Sequence, residues 1–561
     1  MKRLSKSLEW LHDAWVLVRP YWRGEQCRKG YFWLIVILFN SIFEVYMSVR
    51  LNKWNGTFFN TIQNYDKHGF MQALIEGSFI MSLYVFTMII GFYFRSTLEI
   101  GWRKWLTTHY LQQWFESKAY YRGRFLPEQQ DNPDQRISED IHEFVRLVLN
   151  LSINFFSSCL TLGSFIVILW NFSGNYKFMF FQHQFHIPGY MVWMALLYAL
   201  IGTYITFKIG NPLIKINYQK QRYEADFRYN LIRVREYAEQ VASYNGEEIE
   251  QRVVTKDFDN IVDNFMQSVK RNLKINLFNY GYGQLSTIIP TLISAGRYFS
   301  RQITLGDMMQ INSAFARVEF SIAYFIYVYS DIANLRSIMD RLHGFTQMVA
   351  AANEFVPVHR TEEHVHYMEI RNLNIKTPAG RILLDNFSLT GDTGERILIQ
   401  GKSGVGKSTL IKAVNGLWPH VSGKVLYQDG LSRLYINQKP YLPKVNLKEA
   451  ICYPLAHNLP SDEEVKHLLK KCGLENLSAH LYELQDWSAY LSLGEQQKIA
   501  FCRVIINKPD ILFLDEVTSA LDDAAEKMLY QMIINLLPLS LIISIGHRTT
   551  LYELHSRVIQ L

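Results

Sequence analysis

Ile397-Leu398-Ile399-Gln400-Gly401-Lys402-Ser403-Gly404-Val405-Gly406-Lys407-Ser408-Thr409 reads as an apolar strand running into the pattern G-x-x-x-x-G-K-S. That spacing is a phosphate-binding loop. Its glycines let backbone N–H groups surround the β- and γ-phosphates of a nucleotide, where a Cβ would stand in the way. Gly401, Ser403, Gly404, Gly406 and Thr409 belong to this cradle. Lys407 brings positive charge to the phosphates, and the Ser408 hydroxyl suits a Mg²⁺ ligand. A helix from about Lys407 to Val414 points its positive end at the same anion.

Downstream, Ile511-Leu512-Phe513-Leu514-Asp515-Glu516 is a second apolar strand, ending in two carboxylates. Asp515 suits the second protein ligand of the metal, and Glu516 suits a general base that polarises the attacking water. Between the two lies Leu491-Ser492-Leu493-Gly494-Glu495-Gln496-Gln497. Ser492 is a good N-cap, and Gly494 lets backbone approach an anion at the positive end of the helix that follows. From about Tyr367 short strand-like runs alternate with helical patterns, which marks an α/β domain of ordinary size.

Phosphate loop, L-S-x-G-E-Q-Q and strand-D-E, in that order, resemble the ATP-binding cassette (ABC) ATPases. The resemblance extends over the last third of the chain. It implies that ATP and Mg²⁺ bind here. It implies that Gln438, in Tyr435-Ile436-Asn437-Gln438-Lys439-Pro440, senses the metal, that the loop Ser519-Ala520-Leu521-Asp522 crosses a dimer interface, and that His547 is the switch residue at the γ-phosphate. An aromatic residue stacks on adenine about 25 residues before the phosphate loop in that family, and here Thr377 stands in its place.

The remainder of the chain is different in kind. Over 561 residues the hydrophobic fraction is 49%, aromatics reach 14% and charged residues only 19%. The mean hydropathy of −0.04 hides an uneven distribution. Six long apolar runs, at about 31–49, 73–95, 147–171, 188–208, 275–297 and 308–330, are each of the length a bilayer core requires. Positive charge alternates between their connections. It is high before the first, low at 51–72, high from Arg103 to Arg146, represented by Lys177 alone in the next, high again across 211–274, and reduced to Arg297 and Arg301 in the last. By the positive-inside rule both termini lie in the cytoplasm of a multi-pass inner-membrane protein. No cleavable signal peptide is expected, because the first apolar run begins after residue 30. Leu8, Leu11, Trp15 and Val18 recur at helical spacing and read either as an interfacial helix or as a solvated one. The predicted organisation is a helical membrane domain over 1–350, of the exporter type that the resemblance implies, a polar linker over 351–365, and the ATPase domain over 366–561.

The net charge of +7 follows the cytoplasmic segments, so it is assigned to anionic lipid head groups; no recognition motif supports nucleic acid as a partner. The five cysteines show no metal spacing. Leu51–Asn60 (LNKWNGTFFN), Asp131–Ile137 (DNPDQRI) and, more loosely, Glu236–Glu247 resemble segments of the SbmA/BacA peptide-uptake permeases, their ATPase-fused bacterial relatives and the peroxisomal fatty-acyl ABC transporters.

These likenesses imply a half-transporter. In ABC ATPases the signature segment of one chain closes over the nucleotide on the loop of another, so a chain with one of each is expected to act as a dimer, homodimeric or heterodimeric, with composite ATP sites. Alternating access driven by hydrolysis is the expected mechanism. A soluble ABC ATPase of translation or repair does not fit the apolar runs, while an ABC-type channel or sensor is the alternative. Glu44, Arg317 and Glu319 fall inside apolar runs, where charge is expensive; they are either structural or line the path of a polar solute. Import of a peptide or other hydrophilic solute and export of lipidic cargo both stay open. Pro290 predicts a kink in the fifth run.

Overall fold

The computed structural model describes residues 14–24, 27–126, 132–173, 175–180, 183–354, 359–362 and 367–561. Leu8, Leu11, Asp131, residues 355–358 and 363–365 of the expected linker, and residue 366 lie outside them. The chain divides into two compact units. One holds Met1–Trp114 and Gln130–Gln347; the other holds Phe115–Gln129 and Met348–Leu561.

Long helices make the first unit: Cys27–Gln63, Lys67–Phe115, Ile141–Ser173, Tyr190–Gly210, Pro212–Glu236, Glu247–Phe299, Leu305–Tyr327 and most of Tyr329–Asn353. They outrun the apolar stretches, because a helix satisfies its own backbone and continues into water on polar residues. Among the described residues, four helical segments are long and apolar enough to cross a membrane: Cys27–Gln63, Lys67–Phe115, Pro133–Ser173 and Tyr190–Glu236. The stretches at 275–297 and 308–330 fall in two further helices, of which the first is rich in charge before residue 275 and the second is punctuated by Asp307, Arg317 and Glu319. Pro290 sits inside Glu247–Phe299 without ending it.

Phe165, Leu169, Met191, Ala195, Ile311 and Phe315 form a buried core. Other large apolar side chains face outward, with Phe79 69% and Phe92 75% exposed. Such a surface suits hydrocarbon. Some polar groups on these helices are paired. Asn40 donates to Glu44 at 2.9 Å, and Arg95 reaches Asn150 at 3.4 Å and Asn154 at 3.2 Å. Asn132-Pro133-Asp134-Gln135-Arg136 opens a helical stretch in which buried Arg136 clasps the Asp140 carboxylate at 2.5 Å, joined by Arg341 from the helix Tyr329–Asn353 at 2.7 Å.

The second unit is an α/β domain. Five parallel strands lie in the order Arg557–Gln560, Arg396–Gln400, Leu541–Ile545, Ile511–Asp515 and Arg433–Ile436. The three central strands are almost fully buried, as runs such as Leu541-Ile542-Ile543-Ser544-Ile545 require of a sheet covered on both faces. A second sheet orders His359–Glu362, Val421–Gln428, Met368–Lys376 and Ile382–Gly391. The expected linker is therefore shorter than its polar composition suggested. Residues 351–353 end a helix, and His359–Glu362 pairs in parallel with Val425–Gln428. The segment beginning at Phe115 also groups with this unit: the Phe125 ring packs on Trp418 with centroids 5.4 Å apart.

Candidate ATP site

Two strand ends and one helix build the site. The strand Arg396–Gln400 stops at Gly401, and the chain turns through Gly404 and Gly406 into the helix Lys407–Val414. Gly406 has φ +112°, and a Cβ there would meet that of Leu383 at 3.2 Å. Gly404 has φ +81° with open space where its Cβ would lie, so the backbone is bare on the side where phosphate must approach. Lys402, Ser403 and Gly404 are exposed, whereas Lys407 is buried and curls back into the loop. Its Nζ donates to the carbonyls of Gly401 at 2.8 Å and Lys402 at 3.2 Å. Thr409 follows in the first helical turn.

The Ile511–Asp515 strand brings its carboxylates to this loop. Ser408 Oγ donates to Asp515 Oδ1 at 2.9 Å, and the Tyr435 hydroxyl donates to Asp515 Oδ2 at 3.1 Å. Burial raises the Asp515 carboxyl above its ordinary range, and these two hydrogen bonds work against that shift. A hydroxyl and a carboxylate side by side are hard oxygen donors of the kind Mg²⁺ takes, so the residues fit the metal.

Glu516 stands just beyond, with φ +49°, a strained backbone for a non-glycine residue. Gln438 Nε2 donates to its Oε2 at 3.1 Å, and His547 Nε2 lies 3.4 Å from its Oε1. Gln438 is thus directed at Glu516 rather than at the Ser408–Asp515 pair. The loop, Asp515, Glu516, Gln438 and His547 come together from positions up to about 150 residues apart.

Ser492, Gly494 and Asp522 do not join them. Ser492 caps the helix Leu493–Asn507 in a reciprocal box with Glu495, and Asp522 caps Asp523–Leu536 by accepting from Ala525 N at 2.7 Å. Gly494 lies against the Ala520 carbonyl. Among the described residues no hydrogen bond links Ser492 or Gly494 to residues 401–409. Thr377 is spent in the hairpin turn before Ile382, where its hydroxyl accepts from Arg381 N at 3.1 Å.

Two site residues went unassigned in the sequence. Gln497, fully buried, donates to the Gln438 carbonyl at 3.2 Å and to Ser519 Oγ at 3.1 Å, and accepts from Ala520 N at 3.0 Å. It ties the signature helix to both neighbouring loops. Its signal was a polar residue on the buried stripe Gln497, Ala500, Phe501 and Val504. The role of Tyr435 is not visible in the sequence, since the strand pattern does not reveal a partner 80 residues away.

The family model described as ABC transporter transmembrane region 2 matches residues 17–299, and that described as ABC transporter matches 384–519. The chain is 32% identical to the inner membrane ABC transporter ATP-binding protein YddA of Escherichia coli, over 96% of this chain and 95% of that one. It is 28% identical to ABC transporter D family member 2, chloroplastic, of Arabidopsis thaliana, over 97% of this chain and 85% of that one. In fold it is similar to a bacterial Atm1-family ABC exporter solved with ATP bound, at a TM-score of 0.69 and 17% identity, covering 96% and 94% of the two chains. Transporters of this kind with one membrane region and one ATPase domain per chain dimerise with a like or an unlike partner, and their ATPase domains bind ATP with Mg²⁺. A membrane region and a phosphate-loop ATPase in one polypeptide, each matched in sequence, place this chain in the ABC transporter family, related to its D-type members, as an ATP-driven transmembrane transporter.

Proposed function

We propose that the chain forms a homodimer in a bacterial inner membrane, with both termini in the cytoplasm, and takes up a peptide or another hydrophilic solute by alternating access. The observation that carries the ATPase assignment is the Glu516 carboxylate held at both oxygens, by Gln438 and His547, one residue from the Ser408–Asp515 pair. In this reading the backbone of Gly401–Gly406 and the Lys407 ammonium hold the phosphates. Ser408 and Asp515 hold Mg²⁺, which when bound neutralises charge on the β- and γ-phosphates. Glu516 accepts a proton as water oxygen bonds to the γ-phosphorus and the bond to the ADP oxygen breaks, and His547 and Gln438 fix the orientation of that carboxylate. A residue in this position turns ATP over, which favours a transporter above a channel or sensor with a regulatory ATPase. Ser492, Gly494 and Asp522 serve the nucleotide on the partner chain.

A hydrophilic solute is supported by the SbmA/BacA-like segments and by Glu319. That carboxylate lies half-buried beside Tyr282 and Ser286 on an expected span and forms no ion pair among the described residues. Glu44, by contrast, is paired with Asn40 in the helix bundle, a structural role. The resemblance of the same segments to the peroxisomal fatty-acyl ABC transporters supports lipidic cargo as the second reading. ATP-dependent flux in oriented proteoliposomes decides, with a peptide, a cobalamin and a fatty-acyl panel. Peptide accumulation from the extracellular face is the expected result, and fatty-acyl movement alone overturns the uptake reading.

A further inference from the structure

Tyr435 is not required by any role assigned above, yet its hydroxyl occupies half of the hydrogen-bonding capacity that Asp515 shows toward the protein. Ser408 fixes one carboxylate oxygen at 2.9 Å and Tyr435 the other at 3.1 Å, so the carboxylate plane is set by two donors on different elements. A metal ligand held in this way has its orientation, and hence its affinity, determined by the residue behind it.

The other side of the Tyr435 ring is equally informative. It lines a cavity of about 370 Å³ together with Tyr121, Phe125 and Trp418. Tyr121 and Phe125 pack edge to face at 5.4 Å, Phe125 meets Trp418 at the same distance, and Trp418 Nε1 is anchored on the Lys376 carbonyl at 2.9 Å. Tyr121 is close enough for its own hydroxyl to act electrostatically on that of Tyr435. Tyr121 and Phe125 follow directly in the chain from the helix Lys67–Phe115, which is long and apolar enough to cross a membrane. A ring that lines a partly empty cavity is free to shift when the rest of the lining moves, and a shift of this ring displaces the hydroxyl from Asp515.

We propose that Tyr435 is a positioning residue for the Mg²⁺-binding carboxylate, and that the 119–126 segment, acting on its ring across the cavity, sets the Mg²⁺ requirement of ATP hydrolysis. The proposal rests on the assignment of Asp515 as the metal ligand made above. Movement at the end of a membrane helix would then reach the nucleotide site through one aromatic ring and one hydrogen bond.

The test uses the full-length chain in lipid nanodiscs, with ATPase rate measured against free Mg²⁺ at saturating ATP. Tyr435→Phe keeps the ring and removes the hydroxyl. The expected result is a rise of about tenfold in the Mg²⁺ concentration for half-maximal rate, with much of the loss recovered at high Mg²⁺. A structural role predicts a uniform loss at every Mg²⁺ concentration, and either that result or an unshifted curve overturns the proposal. Tyr121→Ala is expected to shift the curve in the same direction and to add nothing in the Tyr435→Phe background; additive shifts overturn the link to the segment. Asp515→Asn serves as the control on the parent assignment. If that variant keeps the wild-type Mg²⁺ curve, the metal site is elsewhere and it is the assignment, rather than the role of Tyr435, that falls.

Discussion

The loop half and the signature half of the ATPase domain are built on opposite terms. In the loop half the reactive groups are directed at one another: Lys407 into its own loop, Ser408 and Tyr435 onto Asp515, Gln438 and His547 onto Glu516. In the signature half the corresponding groups are turned to their own helices, with Ser492 and Asp522 both engaged as N-caps. The first half is assembled within one chain, whereas among the described residues the signature half makes no hydrogen bond to the phosphate loop. The difference separates a site built by contacts across distant segments from a surface whose polar groups are satisfied locally.

Substitutions that empty the loop half should have the largest effects. Glu516→Gln is expected to lower ATP hydrolysis about a thousandfold while ATP binding persists, as measured by phosphate release and by retained nucleotide on the same sample. Hydrolysis within tenfold of wild type would remove Glu516 from the mechanism. Gly494→Asp places a carboxylate at the positive end of the signature helix, where phosphate should dock. Loss of about a hundredfold in hydrolysis is expected, with nucleotide binding to the loop retained. A parallel loss of binding would mean that the two halves are not separable as described.

Smaller effects probe how each half is held. Arg503, on the signature helix, donates to the carbonyl of Ala450 at 2.6 Å and to that of Tyr441 at 2.6 Å, and burial pulls its guanidinium down to about 10. Arg503→Met leaves both carbonyls without this donor and should cost roughly 2–4 kcal/mol, read from chemical denaturation of the ATPase domain in the full chain. Unchanged stability would show that the signature half is held by its apolar core alone. His555 belongs to the loop half: its Nε2 lies 2.8 Å from Ser544 Oγ on a central strand, and burial holds the imidazole below its ordinary range near 6.5. The neutral ring is the folded form. Above about pH 6.5 neither state takes a proton and nothing is lost; below it the unfolded chain protonates first, so stability falls as pH falls. A melting temperature that declines from pH 7 to pH 5.5, and declines less in His555→Gln, is the expected outcome, smaller than the effect at Arg503.

The same contrast explains what could be read from the sequence. Local rules located the loop half: the helix Lys407–Val414 follows the phosphate-loop pattern and the strand Leu541–Ile545 coincides with an apolar run. The N-cap at Ser492 is equally legible, because a capping box is a matter of four consecutive residues. Tyr435 and Gln497 were not, because their roles exist only once strands and helices from distant segments are adjacent. The segment from Phe115 to Phe125 carried charge and aromatics but no pattern that assigns it to one unit or the other. The strand His359–Glu362 was hidden for a related reason: a short edge strand draws its stability from pairing with Val425–Gln428, and its own composition is that of a linker.

The length of the helices has a mechanical meaning. Lys67–Phe115 is 49 residues without interruption, about 74 Å at 1.5 Å per residue, and Glu247–Phe299 at 53 residues is about 80 Å. A bilayer core takes only roughly 30 Å of a helix that crosses it, and Lys67–Phe115 is long and apolar enough to do so. Either helix therefore has about 44–50 Å to spare beyond that thickness, and a tilt of about 5° displaces the tip of such an arm by about 4 Å. Changes too slight to disturb packing among the spans are thus magnified into displacements of about 4 Å at the far tip, and the reverse gearing converts a large stroke at that tip into a small, forceful adjustment between the spans.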